Sequence, residues 1–446
     1  MALMIFLVLL TKITIGICVT PKPIPLNYGN YSLYTTVPTE AHQLKFLQNL
    51  ETEKYLDVIY WKRPVKLYYD VHMLIHNTET EMFLERAKHY NLAVKMNLYD
   101  VQEAFKNQTI RQYVRLRENS FNFDNYHSIE DIYQWLTDMS TKHKNCVLLS
   151  IGKSVEGRDI FVMSFKNGVK KNVIIEAGIH GNEWIAIEFA LYLIDKLIQE
   201  KAFTQAKKFN WYIIPILNPD GFAYSHTTDR LWRKNRRPIG KEFGVDLNRN
   251  FNYNFRAYSS SIDPRDDEYC GPEPFSEPET LALKNFLRTL KTIKYYFSFH
   301  AYGQAIIIPY GDRVKHMGDY SEMENYGKQA IIKMFAANRS KYTIGTIYDT
   351  MGVKISGNSA SWVKRVYRAK YVMTFMMRDN GTYGHALPAD QIEATCNETL
   401  AGLQTVMTAQ ARYVPTNLFG SSTSLNNNLL TFFCTLAAIA IFVVKL

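Results

Sequence analysis

Cysteine is scarce in this chain, with only five residues in a sequence of 446. Cys18 and Cys434 lie in the terminal segments, and the three that remain cannot all pair with one another, so at least one thiol stays free. A small scaffold held together by a disulfide framework is therefore excluded. The chain also has no internal repeats, no nucleotide-binding Gly-rich loop and no low-complexity tract, which excludes solenoid, P-loop and low-complexity classes.

A basic run long enough to indicate nucleic-acid binding is missing as well. The formal net charge is +10, but lysine and arginine are scattered along the chain, and the densest group is Arg230–Arg237. We interpret the excess positive charge as a solvated surface, with acidic partners or a membrane surface as the alternative. No nucleic acid is expected among the partners.

Both ends of the chain carry targeting patterns. Residues 1–20 contain an apolar run, Met4–Leu10, and then small residues, which is typical of a cleaved signal peptide; a buried N-terminal helix is the alternative. Residues 429–446 are almost wholly apolar and follow a polar spacer, 414–428, with small residues. This order predicts a glycolipid (GPI) anchor signal, with a transmembrane helix as the alternative, and either one tethers the protein at the outer cell surface. Secretion agrees with the glycosylation sequons at Asn30, Asn107, Asn338 and Asn397.

Two folded regions are predicted between these ends. Residues 21–117 alternate short helical and strand patterns, which indicates a small α+β domain. Its predicted elements are a helix over Ala41–Lys54, strands over Asp57–Trp61 and Val65–Val71, a helix over Glu79–Tyr90 and a strand over Leu92–Leu98. Residues 118–413 are long enough to bury a large core, and they alternate apolar strands with helices, which predicts a mixed α/β sheet sandwiched by helices. The predicted strands are Val147–Ile151, Ile160–Phe165, Val173–Ile179, Trp211–Leu217, Tyr295–Phe299, Ala305–Pro309 and Tyr371–Met377.

Polar side chains follow two of these strands. His180 and Glu183 come directly after the strand Val173–Ile179, and a helical pattern begins at Trp184. In an open α/β sheet, ligands bind at the carboxyl ends of the strands. Imidazole and carboxylate suit zinc, and His300, which ends another apolar run, is the best candidate for a third ligand. His-x-x-Glu alone is a weak motif that also occurs at surfaces and helix caps.

The motifs around this stretch resemble those of the zinc metallocarboxypeptidases, in particular the pancreatic carboxypeptidase A/B-like branch. They are His180-Gly-Asn-Glu-Trp184, Asn218-Pro-Asp-Gly-Phe222, Arg230-Leu-Trp-Arg-Lys234, Gly244-Val-Asp-Leu-Asn-Arg-Asn250, Pro274-Phe-Ser-Glu-Pro278, His300-Ala-Tyr302 and Arg378-Asp379. The resemblance covers Leu67 to Leu403. It implies an eight-stranded-type mixed sheet, and an inhibitory pro-domain in residues 21–117 that covers the active-site mouth. Arg115–Arg117 resembles a trypsin-type activation step, or is an ordinary basic linker.

The resemblance also implies a metal centre with one Zn²⁺ per chain. His180, Glu183 and His300 match the three zinc ligands of the family. Asp246 matches a carboxylate that orients a ligand imidazole. A purely structural role for Asp246 in its turn remains the alternative.

Substrate contacts are implied at five further positions. Arg233 matches the residue that polarises the scissile carbonyl, and Asn248 and Arg249 match the pair that grips the terminal carboxylate of a peptide. Asn182 stands where the pancreatic enzymes have arginine, which removes a positive charge from the binding groove. Ala360 stands at the specificity position that is acidic in enzymes for basic residues, so the pocket is expected to favour neutral or apolar C-terminal side chains.

Two more positions depart from the family pattern. The mobile tyrosine that caps the substrate has no clear equivalent, since Tyr348 lies 14 residues before Trp362, about five too many, and an alignment by length places Val353 in its slot. Glu242 and Arg265 correspond by spacing to a disulfide of the pancreatic enzymes. These opposite charges either form a replacement ion pair or are unrelated surface residues.

Met376 is the decisive departure. The family's general base is a glutamate two residues before the Arg-Asp pair, and here that position is methionine. A thioether cannot accept a proton from water at neutral pH, and no acidic residue lies between Tyr371 and Met377. Loss of a general base typically lowers the rate by roughly 10²–10⁴-fold.

Three functions are consistent with this sequence. The first is a zinc-binding protein that captures peptide or protein C-termini at the cell surface, with peptidase activity weak or absent. The second is a working exopeptidase for neutral or apolar C-terminal residues that uses another base, such as Asp349, or the metal alone. The third is a structural or adhesion protein without zinc.

Overall fold

The computed structural model describes residues 25–52, 56–115, 121–199 and 206–408. The predicted signal peptide 1–20, residues 116 and 117 of the predicted activation step, and the segments 414–428 and 429–446 lie outside these ranges. Within the described ranges, no helix has both the length and the apolar character needed to cross a membrane.

The N-terminal region is a small α+β domain with its own core. Its four strands form an antiparallel sheet in the order β2-β3-β1-β4, packed against helices. The strands are β1 Tyr31–Thr36, β2 Val58–Lys62, β3 Val71–His76 and β4 Val94–Leu98, and the helices are α1 Ala41–Asn49, α2 Thr80–His89 and α3 Val101–Arg115. A cluster that includes Phe46, Leu47, Met73, Ile75 and Phe83 belongs to this domain alone.

Two details of the N-terminal domain differ from the sequence prediction. The strand predicted over Val65–Val71 is wrong, because the chain turns at Tyr68, whose φ of 66° is left-handed and whose N–H donates to Pro38 O. Strand β1 was not predicted, since its buried positions include Ser32 and Thr36. Their hydroxyls donate to Tyr99 O and Ala93 O, so these polar residues are buried without an apolar signal.

The second region contains the eight-stranded mixed sheet that the sequence indicated. Its order is β13-β12-β14-β11-β7-β8-β6-β5, with parallel pairing along β14-β11-β7-β8 and antiparallel pairing toward one edge through β6 and β5. The strands are β5 Val147–Lys153, β6 Asp159–Phe165, β7 Asn172–Glu176, β8 Asn210–Ile214, β11 Ile293–His300, β12 Ala305–Ile307, β13 Thr343–Gly345 and β14 Tyr371–Met376. A separate two-stranded ribbon joins β9 Pro238–Ile239 to β10 Glu242–Phe243.

Helices cover both faces of this sheet, so its central strands are buried on both sides. One core lies between the sheet and α4, α5, α8 and α11, and a second lies between the opposite face and α7 and α10. All five residues of β7 are buried, as expected for a strand with two covered faces. The helices are α4 Ile129–Lys142, α5 Trp184–Ile198, α6 Pro219–Thr227, α7 Pro278–Arg288, α8 Tyr320–Asn338, α9 Ile347–Met351, α10 Ser359–Tyr367 and α11 Ile392–Thr408.

A glycine fixes how the turn after β7 packs. A Cβ placed on Gly181 would lie 2.4 Å from Gly221 O, in the first turn of α6. Only a residue without a side chain allows this approach. The turn that carries His180 and Glu183 is therefore held against α6, whose N-terminus Asn218 caps by accepting from Gly221 N at 2.9 Å.

Of the two alternatives for Glu242 and Arg265, the replacement ion pair is not formed. Arg265 makes its ion pair with Asp263, its neighbour in the same exposed loop, and not with Glu242. Cys146, Cys270 and Cys396 are all free and buried.

Candidate metal centre and substrate cleft

Two neighbouring parallel strands bring the predicted metal ligands together. Strands β7 and β11 pair in parallel, so their carboxyl ends lie at the same edge of the sheet. His300 is the last residue of β11, His180 follows β7, and Glu183 immediately precedes α5. Nδ1 of His180 lies 2.8 Å from one carboxylate oxygen of Glu183, and Nδ1 of His300 lies 2.8 Å from the other. The two Nδ1 atoms are 3.2 Å apart.

The hydrogen bonds that each imidazole makes through Nε2 decide which ring nitrogen faces the Glu183 carboxylate. Nε2 of His180 lies 3.3 Å from Asp246 Oδ1, which can only accept, so Nε2 carries a proton. Nε2 of His300 lies 2.9 Å from Ser298 Oγ, and that hydroxyl donates to Glu176. In their neutral forms both rings therefore direct the Nδ1 lone pair toward Glu183.

A cation fits this donor set. Two lone pairs and a carboxylate that converge within hydrogen-bonding distance repel one another unless a positive charge lies between them. Two imidazole nitrogens with one carboxylate, each supported from behind, form a donor set that zinc takes in hydrolytic sites.

Asp246 organises the cations next to the metal ligands. It is fully buried, and it accepts from Arg233 Nη2 at 3.0 Å while its other oxygen faces His180. Arg249 Nη1 lies 3.6 Å from the same carboxylate. Burial opposes ionisation of Asp246, yet Arg233, Arg249 and His180 lower its pKa well below the usual range. The bond to Asp246 holds Arg233 with its Nη1 atom 3.8 Å from Glu183 Oε1.

Comparison with known proteins identifies the family. A sequence profile described as "Zinc carboxypeptidase" matches residues 132–402, and one described as "Carboxypeptidase activation peptide" matches residues 34–108. This chain belongs to the zinc carboxypeptidase family. The family's chemistry is zinc-dependent peptide hydrolysis, and its members take one Zn²⁺. In this chain, His180, Glu183 and His300 form a buried group that could hold a metal ion.

Individual relatives agree with this assignment. Carboxypeptidase A2 of Mus musculus is 31% identical over 386 residues, covering 83% of this chain and 91% of the relative. A zinc carboxypeptidase of Simulium vittatum is 36% identical over 297 residues, covering 64% of this chain and 97% of the relative. The crystal structure of thrombin activatable fibrinolysis inhibitor superimposes with a TM-score of 0.78 at 29% identity, covering 84% of this chain and 98% of that one.

A cleft of about 370 Å³ opens beside the candidate metal ligands His180, Glu183 and His300. Five of the predicted substrate and base positions line it, namely Arg233, Asn248, Arg249, Ala360 and Met376. Asn182 does not line it. The Asn182 side-chain amide is buried and donates to Leu231 O at 3.1 Å, so it lies behind the groove wall and not in the groove.

Met376 lies directly beside the metal centre. It is the last residue of β14, half-buried, and pairs in register with His300 on the neighbouring parallel strand. The carboxylates that line the cleft, among the described residues, are Glu183, Asp267 and Glu268. The alternative base Asp349 is absent from the lining, because its carboxylate caps α9 through Thr346 and also bonds His316 at 2.9 Å.

An apolar wall occupies the region of the predicted capping residue. Val353 lines the cleft together with Ile347 and Met351, whereas Tyr348 does not. The Tyr348 ring instead lies under Lys66 Nζ of the N-terminal domain, 4.9 Å from the ring centroid. This placement agrees with the alignment by length.

The N-terminal domain covers the mouth of the cleft. Five of its residues line the cleft, Tyr60, Trp61, Lys62, Arg63 and Val65. Trp61 packs edge-on against Tyr302 and His385 of the domain that contains the eight-stranded sheet, which is called the catalytic domain below. His72 stacks on Tyr302 and lies 2.8 Å from its hydroxyl, while Asn97 donates to Gly381 O at 2.7 Å.

Sequence reasoning missed several residues that support the site. Ser298 lies two positions before His300 in β11, and alternate residues of a strand share a face, so this neighbour had a detectable signal. Glu176, which accepts from Ser298 and from Tyr296, was visible only as a polar break in an apolar strand. Glu268 had no signal, since its partner Arg249 is 19 residues away across a loop.

Proposed function

We propose that this zinc carboxypeptidase homologue binds peptide or protein C-termini at the cell surface and hydrolyses them weakly or not at all. The observation that carries the proposal is the half-buried Met376 beside His300, at the place where the family's general base is expected. A thioether provides no site for the proton that water must lose.

The remaining residues are suited to binding. Zinc, when bound, supplies a Lewis acid that polarises a carbonyl and acidifies water. Arg233 is held by Asp246 with its guanidinium at the cleft, where it can donate to the peptide carbonyl. Asn248 and Arg249 offer N–H donors to a terminal carboxylate. Ala360, on α10, leaves room for a neutral or apolar side chain.

The working exopeptidase remains the second candidate, and it requires a base from elsewhere. Glu183 belongs to the metal site, and Glu268 is paired with Arg249 at 3.0 Å. Asp349 is committed to its helix cap. Asp267 lines the cleft and is the acid whose replacement by asparagine should be tested if turnover is found.

Location and processing are part of the proposal. The apolar tail 429–446 after the spacer 414–428 supports a glycolipid anchor, and residues 1–20 support entry into the secretory pathway. A cut after Arg117 would divide the chain between the two domains. The N-terminal domain has one core of its own, and it shares a second apolar cluster with Ala386 of the other domain. Of the four sequon asparagines, Asn30, Asn107 and Asn397 are exposed.

The test compares binding with turnover on the same sample. The whole chain is loaded with zinc, cut with trypsin, and separated from the N-terminal domain, with each product checked by mass spectrometry. A blocked dipeptide that ends in phenylalanine should then bind without measurable hydrolysis. Chelator-sensitive turnover at rates typical of peptidases, about 1–10³ s⁻¹, would contradict the proposal and establish the exopeptidase. Absence of both zinc and binding would establish the structural role.

A further inference from the structure

Each nitrogen atom of the Arg249 guanidinium already has one hydrogen-bond partner, so a terminal carboxylate would find one N–H on Nη1 and one on Nη2. Nε donates to Ser259 O at 2.5 Å, Nη1 donates to Asn248 O at 3.3 Å, and Nη2 donates to Glu268 Oε1 at 3.0 Å. The first two acceptors are backbone carbonyls. Glu268 differs because it brings a negative charge to the same guanidinium that a terminal carboxylate of a peptide would use.

Two carboxylates lie near Arg249, and only one of them can leave. The Asp246 side chain is fully buried and bonded to Arg233 and His180, and it lies 3.6 Å from Arg249 Nη1. The Glu268 side chain is 37% exposed, whereas that of Arg249 is 7% exposed. Glu268 can therefore turn toward water at little desolvation cost, while Arg249 stays in the wall of the cleft.

We infer that Glu268 is a specificity-determining residue that competes with a peptide's terminal carboxylate for the Arg249 guanidinium. The inference rests on the proposed function of Arg249 as the carboxylate anchor. A free C-terminus then binds Arg249 in competition with the Glu268 carboxylate. The gain from the terminal charge is reduced, and selection shifts toward the apolar side chain in the pocket beside Ala360.

The N-terminal domain adds a cation near the same acid. Arg63 lines the cleft and pairs with Glu51 of its own domain. Burial opposes the charged form of Arg63, but Glu51 and, from the catalytic domain, Asp266 and Glu268 raise its pKa. Removal of the N-terminal domain therefore takes Arg63 away and leaves the ion pair of Glu268 with Arg249. Competition for Arg249 is measured in this state.

The experiment uses two matched probes, N-acetyl-phenylalanine and its amide, which share the side chain and differ in the terminal charge. Their Kd values are measured by calorimetry with the zinc-loaded, trypsin-cut and separated chain. In Glu268→Gln the Kd of the acid should fall by about 2- to 5-fold, the range expected for a partly exposed ion pair, and the Kd of the amide should not change. A purely structural role of Glu268 would move both probes together.

Asp267→Asn is the matched control, because it removes a neighbouring acid of the same cleft for which Arg249 is not the partner. Its ratio of acid to amide affinity should change less than that of Glu268→Gln. Equal changes in the two variants, or an unchanged ratio in Glu268→Gln, would overturn the inference. Arg249→Gln separates the two proposals: if it leaves the acid as tightly bound as in the unmodified chain, the proposed carboxylate anchor itself is wrong.

Discussion

Replacement of Met376 by glutamate is the most informative perturbation of this protein. Met376 ends β14 in register with His300 and lines the cleft, so a side chain at this position projects beside the metal ligands. Methionine and glutamate have similar lengths. The variant Met376→Glu therefore places a carboxylate in the same space, close enough to the metal centre for a bound cation to favour its ionised form.

The size of the expected rate gain depends on the general base that is added and on the other departures of the cleft from the family pattern. A positioned general base contributes roughly 10²–10⁴-fold, and we expect the low end, about 10²-fold, which corresponds to about 2.7 kcal/mol of barrier. Two features limit it. Val353 stands where a capping tyrosine would orient the substrate, and Glu268 competes for Arg249. Met376 is half-buried, so the new carboxylate keeps contact with water in the cleft.

The assay is hydrolysis of a blocked dipeptide ending in phenylalanine, after removal of the N-terminal domain, with and without a zinc chelator. Met376→Gln is the matched control, because glutamine has the same length as glutamate and a polar end but cannot accept a proton at neutral pH. We expect chelator-sensitive turnover in Met376→Glu only. If the unmodified chain or Met376→Gln turns over as fast as Met376→Glu, Met376 is not the defect and the reasoning from the missing base fails.

Three further outcomes are expected. His300→Ala should lower zinc from about one ion per chain in metal analysis, since a three-ligand site loses much of its affinity with one ligand; a full complement of zinc in the variant would contradict the assignment. A phospholipase specific for glycolipid anchors should release the protein from intact cells, whereas recovery of peptides from 429–446 by mass spectrometry would indicate a transmembrane tail. Burial raises the pKa of Glu279 from 4.5 to about 7. Between these pH values the folded state binds more protons than the unfolded state, so the folded state loses stability as pH rises from 4.5 to 7. Glu279→Gln should therefore raise Tm more at pH 8 than at pH 5; an equal shift at both would mean that Glu279 does not titrate in this range.

The metal centre could be predicted because its signals are local. His180 and Glu183 stand three residues apart between a strand and a helix, and His300 ends a second apolar strand. Ligands bind at the carboxyl ends of strands in such a sheet, which made these three side chains candidates, and the family resemblance then favoured them as one metal site. Seven of the eight strands of the sheet were predicted from apolar runs, since buried strands and helices have periods that can be read directly, and the eight-stranded form was implied by the family resemblance.

Short or polar elements were less accessible. Strand β1 buries Ser32 and Thr36 through hydrogen bonds, and β13 has only three residues, so neither shows an apolar period. The strand expected over Val65–Val71 had the right composition but is broken by the left-handed backbone at Tyr68. Composition reports which side chains can be buried, whereas backbone conformation and long-range bonds decide whether they form a strand.

The sequence by itself predicted the zinc-type donor set His180, Glu183 and His300 and, through the family resemblance, a methionine at the position of the general base, Met376. Only the tertiary structure decided which side chains pair with the candidate substrate-binding residues. The pairing of Glu268 with Arg249 and the packing of Trp61 over the cleft join residues that are distant in the chain, through loops whose paths depend on the whole fold. Such contacts depend on the distance between residues and on their burial. The periodicity of a sequence gives neither quantity for a residue in an irregular loop.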